Sequence, residues 1–265
     1  MTKQILMCPP THFDVEYEIN PWMHCDNPVH HAAAVAQWQA LYDIYTRHLG
    51  WTVHLLEPRE HLPDLVFTAN GGLVIGGKVV LPCFRHPERQ GETAHFEAWF
   101  RANGLAPLEA LVHDFEGEGD VLLWNDVLFA GYPWRSDKLS HRALASQFGL
   151  QVVSLQLTDA RFYHLDTAFT VVDKHTVALY APAFTSESLE QVQRIVPKVI
   201  FASQEDAVAY GLNAFSDGKH IVLSDRAIGL IDTYRRLGLE VWPTPIGEFQ
   251  KAGGGVKCLS LELRR

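Results

Sequence analysis

Apolar and polar positions along the chain form short strand-like runs separated by helical patterns, and the combination recurs roughly every fifty residues. The plan is clearest in the middle. Residues 64–70 lead through Gly71-Gly72 to the apolar run 73–75, a Gly76-Gly77 turn and residues 78–82, and Gly-Gly between β-prone runs marks a hairpin. A helical pattern follows over 88–102, and residues 108–112 read as the next short strand. The next unit places strands at 119–124 and 127–132 around Asn125-Asp126, a helix at 136–148 and a strand at 151–155. A third runs from 164–172 through Asp173-Lys174 to 176–180, with a helix at 186–195 and a strand at 198–202. The fourth starts at 211–213, turns at Asp217-Gly218, and continues with 221–223, a helix at 227–237 and a strand at 240–242.

The remaining unit is split between the termini. Residues 3–8 supply one strand, 31–49 a helix and 51–56 another strand, while the missing strand is expected at 256–263. Strands from both ends would close a ring and leave no sheet edge exposed. No linker, low-complexity segment or charge run interrupts the five units, so a single α/β domain is expected over residues 1–265.

Composition narrows the partners. With 47% hydrophobic residues in 265, the chain can bury a large core. No apolar run approaches the roughly 20 residues of a bilayer span, and the N-terminal segment enters a strand without a signal-peptide core; a cytoplasmic protein is expected. A formal charge of -9 without a Lys/Arg cluster argues against nucleic acid and membrane surfaces, and tolerates a small cationic substrate. Cys8, Cys25, Cys83 and Cys258 lie too far apart for a zinc knuckle or a disulfide framework. Fourteen histidines include no H-x-x-x-H or H-E-x-x-H pair, so neither a metal nor a cofactor is expected.

Candidate chemistry begins in the last stretch, Ala252-Gly253-Gly254-Gly255-Val256-Lys257-Cys258-Leu259-Ser260-Leu261-Glu262-Leu263. Three glycines would let a small molecule approach the backbone, and the thiol opens a run that reads as a buried strand. A plain core cysteine is the alternative. At matching phases of the other units stand Asn20, Asn70, Gly119-Asp120, His164 with Asp166, and Asn213; Asn20 to Asn70 is 50 residues, Asp166 to Asn213 is 47 and Asn213 to Cys258 is 45. A loop asparagine commonly bonds only its own backbone, but residues in phase around a ring would meet near its axis. Glu116, in Phe115-Glu116-Gly117-Glu118-Gly119-Asp120, belongs either to an exposed acidic turn or to a ligand approach. His164 lies between aromatic residues at the entrance to a strand, where a structural role is the ordinary one. A thiol, a histidine and carboxylates converging from separate units suggest nucleophilic catalysis.

The strings Leu65-Val66-Phe67-Thr68-Ala69-Asn70-Gly71-Gly72, Phe115-Glu116-Gly117-Glu118-Gly119-Asp120, His164-Leu165-Asp166 and Gly253-Gly254-Gly255-Val256-Lys257-Cys258 resemble the guanidine-modifying, or amidinotransferase, superfamily. The match covers nearly the whole chain in order, and within the superfamily it is similar to dimethylarginine dimethylaminohydrolases and to the arginine dihydrolase domain. The resemblance implies the pentein fold, a five-bladed α/β propeller of ββαβ repeats with pseudo-fivefold symmetry. It also implies a nucleophile at Cys258, a general acid/base at His164 and a catalytic carboxylate at Glu116. Arg89 and Arg135 match positions that hold a substrate α-carboxylate, a suitable task for guanidinium groups, although Arg89 on a helix face also has a structural reading. Asn20, Asp120 and Asn213 would complete the substrate site.

Two departures from the dimethylarginine type bear on the substrate. Asn70 stands where an aspartate is usual, and Asp166 stands where lysine is usual. Asp166 resembles the deiminase and dihydrolase pattern, in which a second carboxylate grips an unmethylated guanidinium; Asn20 and Asn70 fit the dihydrolase type. The expected reaction has the Cys258 thiolate attack the guanidinium carbon, His164 protonate departing ammonia, and water hydrolyse the amidino-thioether. One cycle converts arginine to citrulline and a second yields ornithine, carbon dioxide and another ammonia. An amide at Asn70, able to donate and accept, would retain the neutral ureido group. The alternatives are a dimethylarginine hydrolase or deiminase that stops at citrulline, an amidinotransferase, and a non-catalytic arginine-binding propeller. A homo-oligomer is compatible with all of them.

Overall fold

The structure, a computed structural model, describes residues 2–265; Met1 lies outside the described residues. Among the described residues fifteen strands form five three-stranded sheets, and each sheet is one blade. In the first, β1 (Gln4–Met7) lies between β2 (Thr52–Leu55) and a strand from the far end of the chain. The others are β3 (Leu73–Ile75), β4 (Lys78–Val80) and β5 (Ala106–Pro107); β6 (Val121–Trp124), β7 (Val127–Tyr132) and β8 (Gln151–Gln156); β9 (Phe169–Val171), β10 (Thr176–Leu179) and β11 (Lys198–Phe201); and β12 (Phe215–Ser216), β13 (His220–Ser224) and β14 (Glu240–Thr244). The terminal strand β15 (Leu261–Glu262) pairs antiparallel with β1, Leu261 opposite Leu6, and closes the ring as expected.

Every blade has the same plan: its first two strands pair antiparallel and its last two parallel. A hairpin can join the antiparallel pair, whereas the parallel pair needs a crossover, which supplies the helix of each unit. Two of these helices show why they start and stop where they do. Thr185 accepts the Ser188 N–H to open Ser186–Ile195, with Glu187 in the first turn and Arg194 in the last matching the helix dipole. Asp137 accepts the Leu139 N–H to open Lys138–Phe148, and Gly149 ends that helix in the left-handed region at φ 68°.

Some boundaries differ from those expected. The helix at 31–49 is α-helical over His31–Asp43 and continues as a π-helical turn over Ile44–His48. The pattern at 88–102 divides at Gly91 into Pro87–Gln90 and Glu92–Ala102. The strand expected at 108–112 lies earlier, at Ala106–Pro107: Pro107 has no N–H for the ladder, and the chain leaves the sheet after Leu108, with Val112 86% exposed. The run 256–263 is strand only at Leu261–Glu262. Before it the chain coils, Leu259 N–H bonding Gly255 O and Ser260 N–H bonding Lys257 O. Its apolar pattern records burial on all sides, since Val256, Lys257, Cys258 and Leu259 are all buried, and burial alone cannot separate strand from turn.

Candidate active site

The tight turn that enters the first strand of each blade carries the site. Thr68–Gly71 precedes β3 and holds Asn70; Gly117–Asp120 precedes β6 and follows Glu116; Leu165–Ala168 precedes β9 and bears Asp166, with His164 at its N-cap. Asn213 precedes β12, and Cys258 lies in the turn before β15. Neighbouring turns are stitched together: Ala69 N–H donates to Cys258 O at 3.0 Å, and Thr68 Oγ1 donates to both Leu6 O and Leu259 O. Five turns on one axis explain the recurrence seen in the sequence. Asn20 is the exception, because Cys258 occupies the place of the split first unit. Asn20 lies in the loop between β1 and the first helix, where Nδ2 donates to Ala252 O and Oδ1 accepts from Trp22 N–H.

The glycines serve protein packing rather than ligand access. A Cβ on Gly254 would lie 2.1 Å from the Phe67 ring, one on Gly255 2.8 Å from Asn213 Oδ1, and one on Gly253, which also has φ 79°, 2.7 Å from the Tyr163 hydroxyl. Gly119 has the same effect beside His164: a Cβ there would lie 2.2 Å from Asn70 Nδ2 and 3.2 Å from His164 Nδ1.

Glu116 is fully buried and joins the charged groups. Its Oε2 accepts from His164 Nε2 at 2.8 Å and from Arg135 Nη1 at 3.0 Å. Burial works against its ionisation, but Arg135 and then the bonded His164 hold the carboxyl well below the usual range. An ionised carboxylate can only accept, so the proton of the neutral imidazole resides on Nε2 and Nδ1 carries the lone pair. Burial lowers the His164 pKa to about 4, outweighing the upward pull of Glu116. His164 is therefore a neutral base at physiological pH.

Cys258 lies on the other side of Asp166. Asn213 Nδ2 donates to its sulfur at 3.1 Å, Asn213 Oδ1 accepts its N–H at 3.1 Å, and the thiol reaches Asp166 Oδ2 at 3.4 Å. Burial, and next the Asp166 carboxylate, push the thiol pKa well above the ordinary range. A thiolate here needs a cation beside it. Burial likewise raises Asp166 to about 7, against the attraction of Lys257, whose Nζ is hydrogen-bonded to Glu118 and Ser260 O. Asp166 Oδ1 is buried without a hydrogen-bond partner in the protein. Cys258 and His164 make no hydrogen bond to each other; the turn carrying both His164 and Asp166 connects them, as does Tyr163, which donates to Gly253 O and packs 4.7 Å from the His164 ring.

Three of the expected substrate ligands make hydrogen bonds to the protein. Asp120 accepts from Ser136 Oγ at 2.6 Å and Leu165 N–H at 3.1 Å, and Ser136 Oγ in turn accepts Glu116 N–H, so Asp120 braces the Glu116 and His164 turns. Asn213 holds Cys258 by its sulfur and its backbone N–H. Asn70 has its amide engaged at both ends, Nδ2 donating to Glu116 O and Oδ1 accepting from Arg89 Nη1, which opposes a freely reorienting amide. Arg89 and Arg135 are both buried in this region. Arg89 pairs with both oxygens of Glu92, and Arg135 donates to Glu116 and Ile19 O while stacking on Tyr163 at 4.6 Å. Sequence reasoning missed Tyr17 and Asp64, whose hydroxyl and Oδ1 are also buried and unpartnered, together with Tyr163, Tyr210 and Lys257. Asp64 had a readable signal, an acid in the apolar run 62–67; the tyrosines had none, since buried tyrosine is ordinary core material. Among the described residues, no three His, Cys, Asp or Glu side chains gather as metal ligands would, and no helix is long and apolar enough to cross a membrane.

A five-bladed α/β propeller with a thiol, a carboxylate-held histidine and an unpartnered carboxylate delivered by its inner turns defines a pentein of the guanidine-modifying superfamily. Comparison with known proteins specifies the family. The family described as N,N dimethylarginine dimethylhydrolase, eukaryotic, matches over residues 9–265, and the chain belongs to it. It is 44% identical over 262 residues to an N(G),N(G)-dimethylarginine dimethylaminohydrolase of Mycobacterium tuberculosis, covering 99% of this chain and 86% of the relative. It is 43% identical over 274 residues to the bifunctional arginine dihydrolase/ornithine cyclodeaminase AgrE of a Nostoc species, covering 99% of this chain and 38% of that one. Among solved structures it is similar to the product-bound N-terminal domain of ArgZ, a cyanobacterial arginine dihydrolase, with a TM-score of 0.95, 40% identity, and coverage of 100% of this chain and 98% of the other.

Proposed function

We propose that the chain hydrolyses L-arginine through a covalent intermediate on Cys258, giving ornithine, carbon dioxide and two ammonia by way of citrulline. The observation that carries the reading is the Cys258 sulfur held between Asn213 Nδ2 and Asp166, whose Oδ1 is buried and unpartnered. A guanidinium cation supplies what that arrangement lacks: N–H donors for Oδ1 and positive charge to stabilise the thiolate. In each cycle the Cys258 thiol gives up its proton to neutral His164 as the sulfur bonds the central carbon; a C–N bond then breaks, and His164, its imidazolium stabilised by Glu116, returns that proton to the departing ammonia. Water then adds to the same carbon, its proton taken by neutral His164, and the C–S bond breaks. Two waters are consumed for each arginine. Arg89 and Arg135, each retaining N–H groups beyond those engaged with protein, are assigned to the substrate carboxylate.

The Mycobacterium tuberculosis relative favours a second reading, hydrolysis of dimethylarginine to citrulline and dimethylamine. Mass spectrometry after incubation with L-arginine, agmatine and dimethylarginine separates the two. Ornithine from arginine is the expected result; a halt at citrulline sinks the two-cycle reading, and dimethylamine release establishes the second. Four free cysteines support a reducing, cytoplasmic setting, and a homo-oligomer is compatible with the ring.

A further inference from the structure

A carboxylate gripped by two arginines needs both guanidinium groups at a fixed separation, since a misplacement of about 1 Å at such a clamp already weakens the grip. Arg89 and Arg135 come from different blades: Arg89 lies on Pro87–Gln90 after β4, and Arg135 follows β7. Each side chain is held locally, Arg89 by Glu92 and Asn70, and Arg135 by Glu116 and Ile19 O. The backbone of one is tied to that of the other by a third guanidinium, that of Arg85.

Arg85 stands four residues before Arg89 on the same connection and reaches across to the next blade. Its Nη1 donates to Pro133 O at 2.6 Å and to Trp134 O at 2.7 Å, the two carbonyls immediately ahead of Arg135. Its Nε donates to Asp114 Oδ2 at 2.8 Å. One planar group thus spans three acceptors, a task that suits the fixed fork of arginine. The main chain is stitched beside it: Cys83 and Phe115 exchange N–H···O bonds at 2.8 and 2.9 Å, Asp137 N–H donates to Asp114 O, and Glu116 N–H bonds Ser136 Oγ. The N–H of Arg85 itself donates to Glu116 Oε1 at 3.4 Å, while Oε2 holds Arg135 and His164. The side chains of Arg85 and Asp114 are 36% and 34% exposed, and an ion pair so open to solvent adds little to stability. Its geometry acts on the placement of the 133–135 segment.

We infer that Arg85 is a positioning residue for the substrate carboxylate: by clamping Pro133 O and Trp134 O it sets the separation between Arg135 and Arg89. The inference rests on the assignment of those two arginines to the carboxylate, and it holds for arginine and dimethylarginine alike, because both carry the same α-carboxylate. Arg85→Met keeps the stem and the N–H to Glu116 and removes the three side-chain hydrogen bonds. With whichever of the two substrates wild type turns over, KM is expected to rise by about fivefold or more while kcat stays within about twofold, the pattern of binding lost equally from ground and transition states. The midpoint of thermal unfolding is expected within about 2 °C of wild type. In an Arg135→Lys background, where the clamp is already broken, Arg85→Met is expected to raise KM by less than about twofold more. A wild-type KM in Arg85→Met, a fall in kcat as large as the rise in KM, or effects that multiply in the double variant overturn the inference. Loss of the fold makes Arg85 a framework residue and overturns it as well. Arg135→Lys with a wild-type KM overturns the carboxylate assignment beneath it, and wild-type protein that turns over neither substrate overturns the hydrolase reading.

Discussion

As the proposed nucleophile Cys258 would react as a thiolate, and its sulfur's hydrogen-bond partners, Asn213 and Asp166, carry no positive charge. Cys258→Ser, nearly isosteric, is expected to lower turnover by about a thousandfold or more while leaving thermal unfolding unchanged, because serine lacks both the acidity and the polarisable nucleophile. Retained activity removes Cys258 from the mechanism. The pH dependence follows from Asp166. Its raised pKa of about 7 means that the pairing carboxylate forms as pH rises through neutrality, so kcat/KM for arginine should climb between pH 6 and pH 8. His164, with a pKa of about 4, is already neutral across that interval and adds no inflection. In Asp166→Asn the climb should disappear and kcat/KM should fall by about a hundredfold; an unchanged profile assigns the rise to another group. Cys258, His164 and Glu116 were legible in the sequence as candidates, and the structure brings His164 and Glu116 into a hydrogen bond. Asp166 Oδ1 and Tyr210 were not, because an unpartnered atom is a property of what surrounds it.

The informative element is the turn that enters each blade. Its side chains reach the axis because the preceding backbone packs without room to spare, and glycine makes that packing feasible. Gly254→Ala puts a methyl 2.1 Å from the Phe67 ring, backed by the buried residues around the Cys258 turn, and is expected to cost about 1–3 kcal/mol and to lower activity with it. Thermal denaturation and a turnover assay on the same preparation check both. On one of the crossover helices, Thr185→Ala removes the N-cap of Ser186–Ile195 and should cost about 1 kcal/mol with activity unchanged. A contrast between the two variants locates function in the inner turns. The helices and hairpins were readable from periodicity and from Gly-Gly or Asp-Gly signals. The turn at 256–259 was not, since residues buried on every side lose the pattern that separates strand from coil.

The molecule carries several fully buried carboxyls, and their burial couples folding to pH. Asp166 and Glu92, buried first and foremost, are each raised to about 7 from ordinary values of 3.8 and 4.5. Their contribution to stability is complete below the ordinary values and is lost as pH rises through about 7. His164 has the opposite sign: lowered from 6.5 to about 4, it favours folding above 6.5 and loses that contribution as pH falls through about 4. Asp166→Asn should therefore melt higher than wild type, and the gap should widen from pH 5 to pH 8. A gap that narrows over that range contradicts the assigned shift.

The amino-acid pattern alone determined five repeated units and a ring closed by both termini, and it marked a thiol, a histidine and a carboxylate as candidates; these depend on residue type and spacing, which a linear chain carries in full. Tertiary structure decided which polar residues have their hydrogen bonds engaged within the protein and which keep an atom unpaired. Asp120, Asn213 and Asn70 look alike in sequence to a ligand-binding set, yet each has its hydrogen bonds engaged by a neighbouring blade, while Asp166 and Tyr210 keep an atom unpaired. Hydrogen-bond satisfaction depends on groups brought together from distant parts of the chain, so no local pattern could have reported it.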